Sequence, residues 1–288
     1  MLEKLTEAQQ AKLNEALALG SIKRVYEVLV EAASTSEFPY LLANTLNRVL
    51  QRAYQAVPDQ WRSIVNIATV PDFKEKQILR VSEADDLEEI KGEPGEYKDG
   101  SLVESKETYQ LSIFGRTFSV TYKAIINDDL DAIRKMPDRY GRAAARLLNQ
   151  LVFNILINNP TMGDGKTLFH ADHGNLGAAA LSEPSLTAAI TAMRRQTDDK
   201  GKKIYVKPRY LVVPPELEWT ARKLLQSAQV PGTANNDANI LRDVGLEPII
   251  CDWLTDTNDW YLIADPSTID TIEVGFLRGV GESPQLFL

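Results

Sequence analysis

Phe73 to Val81 (FKEKQILRV) and Tyr109 to Tyr122 (YQLSIFGRTFSVTY) flank the segment whose reading decides the fold. The first stretch is compatible with a strand. In the second, Tyr109, Leu111 and Ile113 alternate with polar residues, and so do Phe118, Val120 and Tyr122, the period of a half-buried strand. The two alternating sets are out of phase, and the shift falls at Phe114-Gly115, where a bulge or tight bend absorbs the extra residue. From Ser82 to Glu107 the acids are Glu83, Asp85, Asp86, Glu88, Glu89, Glu93, Glu96, Asp99, Glu104 and Glu107. Against them stand only Lys91, Lys98 and Lys106, which leaves a net charge of −7. The window also holds Gly92, Pro94, Gly95 and Gly100 and has no apolar stripe to bury. An ordinary exposed loop shares that composition, but the strand-like flanks make it a long two-stranded arm with an acidic tip. An isolated hairpin is marginal in water, so the arm needs a surface to lie on, and a neighbouring subunit is the economical one.

The rest of the chain supplies the material for a folded body. Its 288 residues are 44% hydrophobic, enough for one or two domains that bury about 75% of the unfolded surface. Forty acidic and 32 basic side chains give a net charge of −8, so neither a chain-wide phosphate-binding surface nor sequence-specific nucleic-acid binding is expected. No run of 18 apolar residues suggests a membrane partner, and Glu3 and Glu7 stand where a secretory leader carries basic residues, so the expectation is a soluble, intracellular protein. The single cysteine, Cys251, has no intrachain partner, and no CxxC pair offers a zinc site. Stability is expected from packing or assembly.

Residues 1–57 read as helical. Thr6 with Gln9 forms a capping box, Gly20 ends that helix, Ser21 starts a second, and a third follows Pro39 and stops at Val57-Pro58. Two readings stay open for them: a partner-binding arm and a plain helical layer. Asn127, Asp128 and Asp129 mark another helix start, which Pro137 interrupts or restarts. From Asp138 onward, Ala144, Leu147, Leu148, Leu151, Val152, Ile155 and Leu156 recur at helical spacing and predict the buried face of a long helix ending at Asn158-Asn159-Pro160. Its other side carries Arg139, Arg142 and Arg146. Such a stripe is a solvated face or a partner for acids on another surface. Further on, a helix over 187–195, a buried strand at 210–213, a helix over 216–228 and strands at 248–253, 260–264 and 271–276 complete the pattern, with VPGTANND at 230–237 a loop. Helices, a hairpin, a long helix and then mixed elements argue for an α+β fold.

The chemistry-bearing motifs are weak. Gly163-Asp164-Gly165-Lys166-Thr167 suggests a phosphate loop, but Pro160 occupies the place of the glycine that such a loop needs. His170-Ala171-Asp172-His173 brings together both histidines and a carboxylate. The surrounding glycines argue against a helix that would converge them on a metal, so a loop held by imidazole-to-backbone hydrogen bonds is expected. There is no GxSxG, and Cys251 in Ile249-Ile250-Cys251-Asp252 reads as filler in a strand. The motifs predict no catalytic residue, no cofactor and no metal, and therefore no enzyme.

Four segments together resemble the major capsid proteins of tailed bacteriophages and prophages, especially the Mu-like head subunit group. They are Tyr109 to Phe118 leading into Ile125-Ile126-Asn127-Asp128-Asp129-Leu130, then Thr167 to Asn175, then Arg209 to Pro215 with Glu218 and Ala221, and finally Ile272 to Leu277. The resemblance implies the Hong Kong 97-type fold, an α+β architecture with an extended hairpin loop that lies on a neighbour, a peripheral domain on a long spine helix, and an axial domain. It divides the chain into an N-terminal helical arm (1–58), the hairpin loop with its acidic tip (59–125), a peripheral domain (126–184), an axial domain (185–266) and a return strand (267–288). The chain stops sooner after Phe276 than relatives of this kind usually do, and residues 1–57 match nothing specific in them.

The implied function is a head subunit that self-assembles, as hexamers and pentamers, into an icosahedral shell enclosing phage DNA. Scaffold, portal and head-maturation protease would be partners, and assembly would take place in the bacterial host cytoplasm. Asp85, Asp86, Glu88 and Glu89 are the expected acidic side of an intersubunit contact, and Arg139, Arg142 and Arg146 the basic side. Two alternatives stand beside this reading: an encapsulin-like compartment on the same fold, and a metal-dependent hydrolase using His170, Asp172 and His173.

Overall fold

A computed structural model describes residues 38–81, 104–118, 130–198, 200–229 and 238–287, with residues 11 and 15. The proposed acidic residues Asp85, Asp86, Glu88 and Glu89, the helices of residues 1–37, the alternating set beyond Phe118, the helix start at Asn127 and the loop 230–237 lie outside the described residues. The elements in chain order are α1 (Phe38–Gln55), β1 (Val65–Val70), β2 (Lys76–Val81), β3 (Glu104–Tyr109), α2 (Leu130–Asn158), α3 (Glu183–Arg194), β4 (Pro208–Val213), α4 (Glu218–Gln226), β5 (Glu247–Ile250), β6 (Tyr261–Ala264) and β7 (Ile272–Leu277). The architecture is α+β. The chain separates into two compact units, one from residues 1–59, 113–148 and 280–288, the other from residues 60–112 and 149–279.

In the first unit α1 buries Leu46, Leu50, Ala53 and Tyr54. Gly141 of α2 sits so close to it that an added Cβ would run into the Leu50 carbonyl oxygen and lie 2.9 Å from the Ala53 Cβ. The buried positions of α2 near Gly141 are Pro137 and Ala145, so a ridge of small residues at four-residue spacing sets the approach. This corrects part of the expected face, of which Val152 and Leu156 are buried as expected. Leu151 is 40% exposed and Ala144, Leu147 and Leu148 are only partly buried, because close approach selects small residues, which hydropathy alone does not flag. Pro137 does not break the helix either. It lies inside a continuous α2 and removes one intrahelical donor. In the same unit, Asn47 holds the C-terminal segment through both sides of its amide: Nδ2 donates to the Leu286 carbonyl at 3.0 Å and Oδ1 accepts from the Leu286 N–H at 2.7 Å.

Among the described residues the second unit contains three small sheets. β1 and β7 pair in parallel from Val65↔Ile272 to Val70↔Leu277, and the buried Trp61 packs near Phe276 with ring centroids 6.4 Å apart. β2 and β3 pair antiparallel in six rungs from Lys76↔Tyr109 to Val81↔Glu104. The expected hairpin base therefore forms, with two corrections. Glu104 and Glu107, placed by composition in a solvated projection, lie on β3. Residues 110–118, where the alternating sets fall, show no ladder pairing among the described residues, and Ile113 and Phe114 are 81% and 58% exposed. Alternation marks a chain able to pair, while pairing needs a second edge.

The third sheet has the order β5-β4-β6, with β4 parallel to β5 and antiparallel to β6. Leu211, Val212 and Val213 are fully buried, as befits a central strand covered on both faces. Leu211 and Val213 join Leu186 and Ile190 of α3 and Ala221, Leu224 and Leu225 of α4 in one core. α3 begins at a capping box of Ser182 and Ser185, an arrangement whose cap is worth about 0.5 to 2 kcal/mol. Asn239 ties down the end of α4, since its Nδ2 donates to the carbonyls of Leu224 (2.7 Å) and Ser227 (3.0 Å). Cys251 falls just past β5 rather than within it, fully buried, and donates its N–H to the Val213 carbonyl.

Candidate functional site

The hairpin arm is fastened at its base by one carboxylate. Lys76 and Tyr109 form the rung that opens the β2–β3 ladder, and both reach Glu273 near the start of β7. Its Oε1 accepts from Lys76 Nζ at 2.5 Å and from the Tyr109 hydroxyl at 2.5 Å. Lys76 Nζ also lies 5.7 Å from the centroid of the Tyr109 ring, near enough for a cation–π attraction. Burial and the Glu273 carboxylate both push the Tyr109 hydroxyl well above its ordinary range, so it stays a donor. Gly275, two residues further along β7 on the same face, makes room for the ring. An added Cβ there would stand 2.6 Å from the Tyr109 hydroxyl and 2.9 Å from Val70 Cγ2.

β3 has a second anchor on the turn after α2. Glu107 Oε1 accepts from the Gly163 N–H at 2.8 Å, and the Lys106 carbonyl lies where a Gly163 side chain would stand. The glycine that suggested a phosphate loop therefore serves close backbone approach to the hairpin. The turn is closed by a Thr161↔Thr167 bridge. Asn159 adopts a left-handed φ of 45° and exchanges two hydrogen bonds with the Phe169 backbone, which substitute for a missing rung.

The His170-Ala171-Asp172-His173 segment is a single 3-10 turn, ended by Gly174 in the left-handed conformation at φ 61°. His170 Nδ1 accepts from the Asp172 N–H at 3.1 Å. His173 faces the Asp164 carboxylate through Nε2 at 2.8 Å and the Leu168 carbonyl through Nδ1 at 3.2 Å. A neutral imidazole has one N–H for these two acceptors, so the arrangement favours the cation. The hydrogen bond to Asp164 raises the His173 pKa, and the same bond lowers that of Asp164. Asp172 is held by Lys166 Nζ at 2.8 Å. Three nitrogens of the two imidazoles are thus engaged within the loop, and among the described residues no group of three His, Cys, Asp or Glu is disposed to hold a metal ion.

Arg139, Arg142 and Arg146 are all exposed on α2. Arg142 is paired with Asp138 one turn earlier, at 3.1 Å, whereas Arg139 and Arg146 show no ion pair among the described residues. Sequence reasoning missed the roles of Glu273 and Gly275, and weighed Gly163 only as part of a phosphate loop. The only signal for them was a carboxylate and two glycines in otherwise strand-like or turn-like runs.

A family model described as phage capsid protein matches residues 105–288. No curated protein matches. Among solved structures, a chain of the bacteriophage JBD30 capsid is similar at TM-score 0.58 and 16% identity, over 69% of this chain and 91% of that one. A chain of the JBD30 procapsid gives TM-score 0.54 and 15% identity, over 77% of this chain and 100% of that one. A chain of the JBD30 capsid decorated with minor capsid protein trimers gives TM-score 0.55 and 17% identity, over 69% and 92%. At these identities the likeness is one of fold, and the fold is that of Hong Kong 97-type phage capsid proteins.

Proposed function

Because the chain belongs to the phage capsid protein family, its function is that of a structural capsid subunit, and we propose that it is the major head subunit, assembling through hexamers and pentamers into an icosahedral shell around phage DNA. The observation that carries this reading is the hairpin base clamped on Glu273 by Lys76 and Tyr109. It fixes the root of an arm whose next stretch of sequence, net −6 from Ser82 to Val103, has no apolar stripe with which to pack on its own body. An arm with a fixed root and no core of its own fits a docking site on a copy of the chain, and such heterologous contacts close rings and then shells.

On this reading residues 59–125 serve as the extended hairpin loop, 126–184 as the peripheral domain on its spine helix, 185–266 as the axial domain and 267–288 as the return strand, with 1–58 an N-terminal arm. Asp85, Asp86, Glu88 and Glu89 face basic residues of a neighbour. Arg139 and Arg146 are better placed for that role than Arg142, which Asp138 already engages. Scaffold, portal and maturation protease act during assembly in the host cytoplasm. The role calls for no catalytic step.

Negative-stain microscopy and light scattering of the concentrated full chain test the reading, with closed shells or capsomer rings expected. A strict monomer at every concentration would overturn it. Replacing Asp85, Asp86, Glu88 and Glu89 with Ser should leave the subunit folded and shift assembly yield or its salt dependence. Each exposed pair is worth only about 0.2 to 1 kcal/mol, but the contacts repeat in every subunit. Identical assembly at every salt concentration would remove the acidic tip from the contact.

A further inference from the structure

The chain is acidic overall, yet Arg194 to Arg209 carries seven basic residues, Arg194, Arg195, Lys200, Lys202, Lys203, Lys207 and Arg209, against Asp198 and Asp199, a local net charge of +5. The backbone gathers part of this charge on one side. A bridge pairs Thr197 with Lys203, and the Ile204 N–H donates to the carbonyl of Gln196, the residue after Arg195, at 3.0 Å. The Val206 N–H then donates to the Ile204 carbonyl at 2.9 Å. Since Asn159 alone among the described non-glycine residues has a positive φ, this is an inverse γ-turn with Tyr205 at its apex.

Burial alternates through the segment, with Lys203, Tyr205, Lys207 and Arg209 exposed, Ile204 and Val206 half-buried and Pro208 buried. Tyr205 is 99% exposed, a whole phenol ring held out in solvent between two lysines, where it supports no core. Arg209 is already neutralised by Glu247 at 2.5 Å. Arg194, Arg195, Lys203 and Lys207 show no ion pair among the described residues.

We propose that this turn is a sequence-independent contact for the phosphate backbone of DNA. Lys203, Lys207 and the Arg194-Arg195 pair neutralise phosphates, and the Tyr205 hydroxyl donates to a phosphate oxygen between them. Side chains of these types position nucleic acid without reading bases. An acidic protein segment is the competing polyanion. A carboxylate can also accept from a tyrosine hydroxyl beside a lysine, as Glu273 does from Tyr109 and Lys76, so DNA is chosen because the proposed shell encloses it, and the test separates the two. The inference rests on the reading of the chain as a shell around DNA, but its test does not need a shell.

The full-length subunit is titrated with a short mixed-sequence DNA duplex by fluorescence anisotropy at several salt concentrations. Each phosphate neutralised contributes a slope of about −0.9 to log K against log salt, so K203S/K207S should be shallower than the unsubstituted chain by about 1.8. Y205F should weaken binding while leaving the slope unchanged, because it removes a donor and no charge. Circular dichroism checks that these exposed substitutions leave the fold intact. No binding even at low salt, or unchanged binding and slope in K203S/K207S, would overturn the proposal while leaving the capsid role standing. So would variants that bind DNA normally and lose shell formation, an outcome that would assign the turn to a protein contact such as the acidic segment of another copy.

Discussion

Tyr109 and Glu273, separated by 164 positions in the chain, meet hydroxyl to carboxylate at 2.5 Å across the root of the hairpin. The contact ties together two sheets, β2–β3 and β1–β7, each of two strands among the described residues and marginal at that size.

Replacing Glu273 with Ala leaves the Lys76 ammonium and the Tyr109 hydroxyl without their shared acceptor. Hydrogen bonds to charged groups are worth about 1.5 to 3 kcal/mol, and the partial exposure of this site places the expected loss near the lower end. Urea denaturation of the free subunit should show a lower midpoint for E273A, with Y109F losing a smaller amount. If E273A unfolded at the unsubstituted midpoint, the corner would not depend on this carboxylate.

Gly275→Ala should be destabilising by about 1 to 3 kcal/mol through overpacking, because its Cβ would stand 2.6 Å from the Tyr109 hydroxyl. The effect should be coupled to the ring. In a Tyr109→Ala background the same substitution should cost less, and additive effects in a double-mutant cycle would disprove the contact.

Gly141→Ala gives a prediction whose sign decides. Within a helix, Gly to Ala ordinarily stabilises by about 0.5 to 1 kcal/mol. Here the new Cβ collides with the Leu50 backbone, so the substitution should lower the thermal midpoint. A raised midpoint would show that α1 and α2 are not in close contact at this position.

The strands of this fold were more legible than its contacts. FKEKQILRV and IEVGFL are readable as strands because alternation and β-branched content are local properties, and the buried Leu211-Val212-Val213 run announces a central strand. Glu273 was not readable, since nothing near it in sequence indicates a lysine 197 positions away as its partner. The α2 face was legible at Val152 and Leu156, which are buried, and misread nearer Gly141 for a related reason. Gly141 and Ala145 are buried because they are small, and a hydropathy period weights the leucines instead. Asp164 and His173 show the same limit at short range. Both stood in quoted motifs, but their pairing depends on Asn159 and Gly165 turning the loop back on itself, Gly165 at a φ of 81°.

Cys251 should be inert in the native chain. It is fully buried, and burial pushes its thiol up to about 11, so little thiolate exists at neutral pH. Labelling with a disulfide reagent should be slow in buffer and rapid in denaturant. Fast native labelling would show that the end of β5 opens readily.

The loop from Asn159 to Asn175 should be held most firmly in mildly acidic solution. The His173 pKa is raised above its ordinary 6.5 by Asp164, so its contribution is full below about pH 6.5 and is lost as pH rises through the folded value. The Asp164 pKa is lowered from 3.8 by the same hydrogen bond, so its contribution is full above about pH 4 and is lost as pH falls through the folded value. Both contributions are therefore complete between about pH 4 and pH 6.5, and amide exchange in this loop should be slowest, after correction for intrinsic rates, inside that window. Titration of the His173 ring protons by NMR should give a midpoint above 6.5, and Asp164→Asn should bring it back down, because the amide cannot favour the imidazolium as a carboxylate does. A His173 midpoint below 6.5 in the unsubstituted chain, or one that Asp164→Asn leaves in place, would mean that the pair does not close the loop in solution.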